Sequence, residues 1–167
     1  MKIGVPKEVK DNEKRVSITP YGVANLIESG NAVYVQENSG IGSGFSNDDY
    51  KNSGATLLDN PEDIFLKSDM IVKVKEPQVN EIKMIKPNQI LFTYFHFAAD
   101  KVLTESIIKS SSIAIAYETV QMENGQLPLV SFFDIARDIV QKSSKIIKSA
   151  PFILSFSSSE IELRSVK

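Results

Sequence analysis

Short apolar and β-branched runs recur along the first two thirds of the chain, separated by polar segments. Most of them have the length of a β-strand, and they are Lys2–Val5, Ala32–Gln36, Thr56–Leu58, Met70–Val74, Gln89–Thr93 and Ile113–Tyr117. Short apolar runs bounded by polar and turn residues are typical of strands in a buried sheet. The pattern therefore predicts a series of short strands.

Segments between these runs carry helix-start signals. Thr19-Pro20 combines an N-cap residue with proline at the first helical position, and Gly30 suits the position that ends the helix. Similar starts occur at Asn60-Pro61 and at Asp100. Alternation of strand and helix is typical of βαβ units with right-handed crossovers. We predict an α/β fold, Rossmann-like or flavodoxin-like, with a parallel sheet flanked by helices.

The last part of the chain has a different character. Apolar residues at helical spacing predict a helix near residues 132–140, and a segment rich in Ser and Lys follows it. The apolar run Pro151–Phe156 fits either an added strand or an exposed apolar end. We therefore predict one domain over residues 1–130, then a divergent helix and Ser-rich tail over residues 131–167.

Charge and composition narrow the classes of function. The 19 basic and 21 acidic residues are interspersed, so we expect no nucleic-acid partner. The absence of cysteine excludes disulfides and thiolate metal sites, and a single histidine excludes any site with two histidine ligands. No apolar run approaches the roughly 20 residues of a membrane span, and the N-terminus lacks a signal-peptide pattern. We expect a soluble, cytoplasmic protein without metal or membrane association.

Polar side chains follow four of the predicted strands. In an open parallel sheet, ligands bind outside the carboxyl ends of the strands. Arg15 lies in the loop after the first strand, and Lys75 directly follows the run that begins at Met70. Tyr94 and His96 follow the next run, and Glu118 follows the last. The fold would bring these residues to one edge of the sheet.

These residue types suit a small α-keto or α-amino acid that reacts at its α-carbon. An arginine grips a carboxylate through two parallel hydrogen bonds, and a lysine polarises a carbonyl oxygen. Histidine transfers protons near neutral pH, and Glu118 could orient a neighbouring cation. Structural roles also fit: a solvated loop for Arg15, a hydrogen bond for His96, a solvated carboxylate for Glu118, and core packing for Tyr94.

Two further features favour structural interpretations. Lys73 and Lys75 lie two residues apart, so simple alternation places them on one strand face, and we assign Lys73 a structural or supporting role. The glycine-rich stretch Ser39–Gly44 does not meet the dinucleotide fingerprint GxGxxG. We favour a structural turn or a substrate lid over phosphate binding there.

Several separated motifs occur along residues 1–130: Met1–Glu8, Arg15-Val16 with Thr19-Pro20, Gly40–Phe45, Val72–Pro77, Leu91–Ala98 and Ala114–Val120. In their residues and their order they resemble the motifs of alanine dehydrogenases. Matches at several places in the right order are more specific than any single short motif. The related transhydrogenase α-subunits open similarly, but they typically lack the counterparts of Lys75 and His96.

The resemblance implies a reaction and roles for individual residues. In this family, L-alanine, NAD and water give pyruvate, ammonium and NADH. The residues matching Arg15 and Lys75 bind the carboxylate and carbonyl of pyruvate or alanine, and the one matching His96 is the acid/base. We add Tyr94 and Glu118 to the expected substrate-binding residues. Members of the family commonly form homo-hexamers.

Other features of the family do not occur in this sequence. Its members continue into a second domain with a glycine-rich NAD fingerprint, which is missing here, so we expect no cofactor-binding residues in this chain. Ser131–Arg137 stands where the family has a Thr-Pro-Met-Ser stretch. We therefore expect a truncated chain that is inactive alone. The alternatives are a stand-alone keto-acid-binding module, one piece of a split dehydrogenase, and a transhydrogenase α-subunit-like domain.

Overall fold

A single sheet organises the part of the chain that the computed structural model describes, which is residues 1–122, 124–127 and 154–155. Six of its strands are parallel: β1 Lys2–Val5, β2 Ala32–Gln36, β3 Thr56–Leu58, β4 Met70–Lys75, β5 Ile90–Tyr94 and β6 Ile113–Ala116. A short strand, β7 Leu154–Ser155, pairs antiparallel with β6. The predicted strands are confirmed to within one or two residues at their ends.

The order of the strands identifies the type of α/β fold. Along the sheet they run β3-β2-β1-β4-β5-β6-β7. The first six follow the Rossmann order, whereas a flavodoxin-like sheet would place its third strand beside the first. Successive strands are added on one side of β1 as far as β3 and then on its other side from β4 onward. The space between β1 and β4 is therefore the topological switch point. The structure thus confirms the α/β prediction and selects its Rossmann-like form.

Five α-helices lie in the described part of the chain, and the predicted starts of three of them are confirmed. The helices are α1 Pro20–Glu28, α2 Asn47–Asn52, α3 Pro61–Lys67, α4 Val79–Ile82 and α5 Lys101–Ser110. Side chains of Thr19, Asn60 and Asp100 accept the first free backbone N–H groups of α1, α3 and α5, as predicted. Gly30 has a φ of 82° and follows the end of α1. The sequence patterns did not predict the short helices α2 and α4.

Two apolar clusters cover the two faces of the sheet. On one face, α1 and α2 pack on the strands through the buried residues Val5, Val23, Leu26, Val35, Tyr50 and Phe92. On the other, α3 and α5 contribute to a cluster of Ile64, Phe65, Ile71, Leu91, Leu103 and Ile107. Burial on both faces explains why β4 and β5 are nearly continuous apolar runs.

Some sequence predictions concern residues that the structure does not describe. The helix near residues 132–140 lies outside the described residues. The boundary at residue 130 stays a prediction. Within the described part of the chain, no helix is both long enough and apolar enough to cross a membrane.

Substitution of Gly4 tests how closely α3 packs against β1, the strand that contains this glycine. A Cβ atom at Gly4 would lie 2.4 Å from the Ser68 Oγ and 2.9 Å from the Ile64 Cγ2. We expect Gly4→Ala to lower the free energy of unfolding by about 1–3 kcal/mol, measured by urea denaturation, because the added methyl overpacks this contact. Gly30→Ala is the control, since its Cβ meets open space and only its left-handed backbone costs about 1 kcal/mol. A smaller effect at Gly4 than at Gly30 would contradict the prediction.

Candidate active site

Arg15 lies in the loop between β1 and α1 and is paired with a carboxylate two residues away. Its Nε is 2.8 Å from Glu13 Oε1, and its Nη2 is 2.5 Å from Glu13 Oε2. The hydrogen bonds from Arg15 hold the pKa of Glu13 below its ordinary value, and the same bonds raise the pKa of Arg15. Both groups are therefore charged at neutral pH, and the two-point contact fixes the plane of the guanidinium.

The glycine-rich stretch packs against the backbone that carries Arg15. Ser43 Oγ accepts a hydrogen bond from the Val16 N–H at 3.2 Å and donates one to the Lys14 carbonyl at 3.3 Å. A Cβ atom on Gly42 would lie 2.4 Å from that same carbonyl oxygen, so only glycine allows the two loops to approach this closely. The stretch acts as a structural support for the Arg15 loop.

This stretch does not fit a dinucleotide. The backbone N–H groups of Ser43, Gly44 and Phe45 donate to carbonyls within the stretch, so they are not directed at a phosphate. A dinucleotide-binding Rossmann fold carries its glycine-rich turn directly after the first strand, and residues 6–19 contain no glycine. The described residues therefore form a Rossmann-like sheet without the phosphate-binding turn of NAD-binding domains.

An open cleft of about 350 Å³ separates these two loops. Its volume is within the range of small-molecule sites. One side is formed by the loop after β1 and the other by the loop after β2: Lys7, Glu8, Glu13, Lys14 and Arg15 face Asn38, Ser39, Ile41 and Gly42. Arg15 is thus accessible from a cleft large enough for a small organic acid.

A β-bulge at the end of β4 corrects the prediction for Lys73 and Lys75. Val72 pairs with Phe92 and Lys75 pairs with Tyr94, so β4 holds one residue more than β5 between the same two pairings. The extra residue reverses the alternation of faces. Lys75 therefore lies on the face of Tyr94, with its Nζ 5.3 Å from the centre of that ring. The prediction that the two lysines share a face was wrong.

Lys73 lies in a buried charge cluster on the other side of the sheet. Its Nζ is 3.1 Å from Glu8 Oε2 and 2.8 Å from Glu81 Oε1, and at most 3% of each side chain is exposed. Burial raises the pKa of Glu8 above its ordinary value, although the neighbouring ammonium opposes this shift. Glu8 Oε1 also accepts the Val74 N–H at 2.7 Å. These contacts give Lys73 a structural role, in agreement with the sequence interpretation.

Tyr94 connects Lys75 to His96 at the end of β5. Its ring centre is 4.2 Å from that of His96 and 5.8 Å from that of Tyr117. His96 is exposed and has a φ of 55°, a left-handed conformation uncommon for a non-glycine residue. Such conformations cluster at functional sites, where the surrounding structure maintains them.

Glu118 maintains the turn that carries His96. Its Oε1 accepts hydrogen bonds from the Phe95 N–H at 2.9 Å and the His96 N–H at 3.1 Å. Both of these contacts are with the main chain, and the predicted orientation of a neighbouring cation stays a prediction. A direct part for Glu118 in substrate binding stays a prediction.

The fold brings Arg15, Lys75, Tyr94 and His96 to the carboxyl edge of the sheet. Arg15 follows β1 and Lys75 is the last residue of β4, and these two strands flank the topological switch, where open α/β sheets bind ligands. The pKa of Glu13 is lowered chiefly by hydrogen bonding to Arg15, and the charge of Lys75 acts in the same direction. Sequence reasoning missed Glu13 and Tyr117. Proximity of Glu13 to Arg15 in the chain was the one available signal, and Tyr117 resembled any other residue at a strand end.

The family model described as alanine dehydrogenase/PNT, N-terminal domain, matches residues 4–134. The chain belongs to this family. The resemblance found in the motifs is thus confirmed, and the matched segment includes every candidate site residue.

Curated relatives of the family are similar over the same region. Alanine dehydrogenases from Geobacillus stearothermophilus and Methanococcus maripaludis are 46% and 44% identical to the chain over 131 residues. Each match covers 78% of this chain and 35% of the relative, so the chain spans about a third of the length of these relatives.

Solved structures give the same result. An L-alanine dehydrogenase superposes with a TM-score of 0.76 at 44% identity, covering 78% of this chain and 36% of that one. A transhydrogenase from Sinorhizobium meliloti superposes with a TM-score of 0.68 at 22% identity, covering 74% and 35% of the two chains. The second likeness shows the fold alone.

The variant Glu8→Gln tests the buried charge cluster, because it changes how the free energy of unfolding depends on pH. Because burial raises the pKa of Glu8 above the ordinary 4.5, the folded state holds this proton more tightly than the unfolded state. The resulting stabilisation is present below the ordinary pKa and is lost as pH rises through the raised one. Glutamine does not titrate. We expect the variant to gain stability relative to the parent as the pH rises from below the ordinary pKa through the raised one, measured by urea denaturation at a series of pH values.

Glu13→Gln is the control with the opposite sign. The pKa of Glu13 is lowered, so its stabilisation is present above the ordinary pKa and is lost as pH falls. This variant should lose stability relative to the parent over the same rise in pH. The same direction of change in both variants would contradict the assignment for Glu8.

Proposed function

We propose that this chain forms the substrate-binding half of an NAD-dependent alanine dehydrogenase, which interconverts L-alanine with pyruvate and ammonium. The observation that carries the proposal is the placement of Arg15 and Lys75 at the ends of the two strands that flank the topological switch. Two cations at this edge of the sheet suit an anionic ligand with a second polar oxygen. Pyruvate has both features, and the family relationship makes it the expected ligand.

Each side chain has a proposed part in binding. Arg15 would hold the carboxylate of pyruvate or alanine, and Lys75 would polarise the keto oxygen. Tyr94 contacts both Lys75 and His96, so its ring would form a wall beside the ligand. Glu13 would keep the guanidinium in one orientation, because its carboxylate engages two of the arginine nitrogens.

His96 is the proposed acid/base. During alanine oxidation a water molecule adds to the imine carbon, and it must give up a proton as it does so. A neutral imidazole can accept that proton and return it in the reverse reaction. Glu118 holds the main chain of this turn, which positions the ring beside Tyr94.

Under this proposal, the residues that the structure describes do not form the NAD site. The glycine-rich stretch does not fit a dinucleotide, and the sequence of 167 residues contains no GxGxxG fingerprint. We therefore expect this chain to bind pyruvate without forming NADH from alanine and NAD. Formation of NADH by the purified chain would contradict that expectation.

Arg15→Ala tests the substrate site. A charge-assisted hydrogen bond is worth about 1.5–3 kcal/mol, so we expect pyruvate to bind about 10- to 100-fold more weakly by isothermal titration calorimetry. Lys67→Ala is the matched control, because it removes a cation at the end of α3 that is 44% exposed and lies outside the candidate site. Absence of pyruvate binding to the parent chain, or equal weakening by both variants, would overturn the proposal.

A further inference from the structure

The β-bulge that turns Lys75 toward Tyr94 is held by side chains from outside β4. Ser17 Oγ donates to the Val72 carbonyl at 2.8 Å, and Thr93 Oγ1 donates to the Lys75 carbonyl at 2.8 Å. Between them, Val74 bonds to side chains at both of its polar groups. Its N–H donates to Glu8 Oε1 and its carbonyl accepts from Tyr117 Oη, each at 2.7 Å.

These bonds satisfy backbone groups that the sheet leaves without partners. The extra residue of a bulge is not paired with the neighbouring strand, and a buried backbone group without a partner costs about as much as a lost hydrogen bond. Val74 is buried, so water does not satisfy its groups. The side chains of Glu8 and Tyr117 thus bond to both polar backbone groups of a residue within the irregular part of β4. A regular strand would place Lys75 on the face of Lys73.

We propose that Tyr117, acting with Glu8, is a positioning residue that holds this bulge and thereby directs Lys75 into the substrate site. The part of Lys75 in substrate binding rests on the proposed function. Tyr117 also packs edge-on against Tyr94, with ring centres 5.8 Å apart. One side chain thus fixes the backbone before Lys75 and the ring beneath its ammonium.

Tyr50 offers a matched control for the loss of a buried hydroxyl. Like Tyr117, it is 1% exposed and lies in the same apolar cluster. Its Oη donates to a backbone carbonyl, that of Ile18, at 2.8 Å. Tyr50→Phe and Tyr117→Phe each remove one such bond and keep the ring. The two differ in that only Tyr117 bonds to β4.

The first measurement follows Lys75 itself and needs no ligand. Reductive methylation with ¹³C-formaldehyde labels the lysines of the full chain, and the Lys75 signal is assigned by its loss in Lys75→Met. Because the Lys75 ammonium lies over the Tyr94 ring, the ring current shifts its methyl signal. We expect Tyr117→Phe to move this signal toward that of an exposed lysine and Tyr50→Phe to leave it in place. No change in Tyr117→Phe, or an equal change in Tyr50→Phe, would overturn the proposal.

The second measurement is pyruvate binding by calorimetry. Loss of one hydrogen bond of ordinary strength, transmitted to Lys75, should weaken binding about fivefold in Tyr117→Phe and leave it unchanged in Tyr50→Phe. In a Lys75→Met background, Tyr117→Phe should cause no further weakening, whereas a general loss of structure would still do so. An additive loss in that background would overturn the proposal.

Failure of pyruvate binding and failure of a variant to fold can both be distinguished from failure of the proposal. If the parent chain does not bind pyruvate, the proposed function fails, and the Lys75 signal still decides whether Tyr117 positions this lysine. If Tyr117→Phe does not fold, Glu8→Met replaces it, since that change removes the carboxylate that accepts the Val74 N–H and leaves Lys73 paired with Glu81. The Lys75 signal should then move in Glu8→Met, and an unmoved signal would overturn the proposal.

Discussion

Strand β4 has one residue more between Val72 and Lys75 than β5 has between Phe92 and Tyr94, and the geometry of the candidate site depends on that residue. With regular alternation, both lysines of β4 would face the same side. The bulge separates them. Lys73 then lies in a buried charge cluster, whereas Lys75 reaches the edge where Arg15 and His96 lie. One local irregularity thus places two identical side chains on opposite faces of the sheet, one in a buried charge cluster and the other beside the Tyr94 ring.

Glu8 links the two consequences of this bulge. One of its carboxylate oxygens pairs with the buried Lys73, and the other accepts the Val74 N–H within the bulge. Removing a carboxylate from water is costly, and the raised pKa of Glu8 reflects that cost. The ammonium of Lys73 and the Val74 N–H oppose that shift. The same carboxylate thus joins the buried charge cluster to the backbone of the bulge.

The candidate site combines a Rossmann-like sheet with loops of a different character. A dinucleotide-binding sheet has a glycine-rich turn after its first strand. Here that loop has no glycine and carries Glu13 and Arg15. The glycines occur instead after β2, where close approach of Gly42 to the Lys14 carbonyl supports the Arg15 loop. The same strand order thus carries cations at the edge of the sheet where a dinucleotide-binding sheet carries backbone amides.

The sequence alone determined the alternation of strands and helices, the starts of α1, α3 and α5, and the family. These features depend on residues three or four positions apart, such as Asn60 with the Asp63 N–H, or on motifs read directly from the chain. Tertiary structure decided the strand order and the face of the sheet on which Lys75 lies. It also decided the contacts of Glu13 with Arg15 and of Tyr117 with Val74. The contacts that set the bulge join residues 43 and 66 positions apart, Tyr117 with Val74 and Glu8 with Val74. No local pattern encodes such pairings, because they form only when the sheet brings distant segments together.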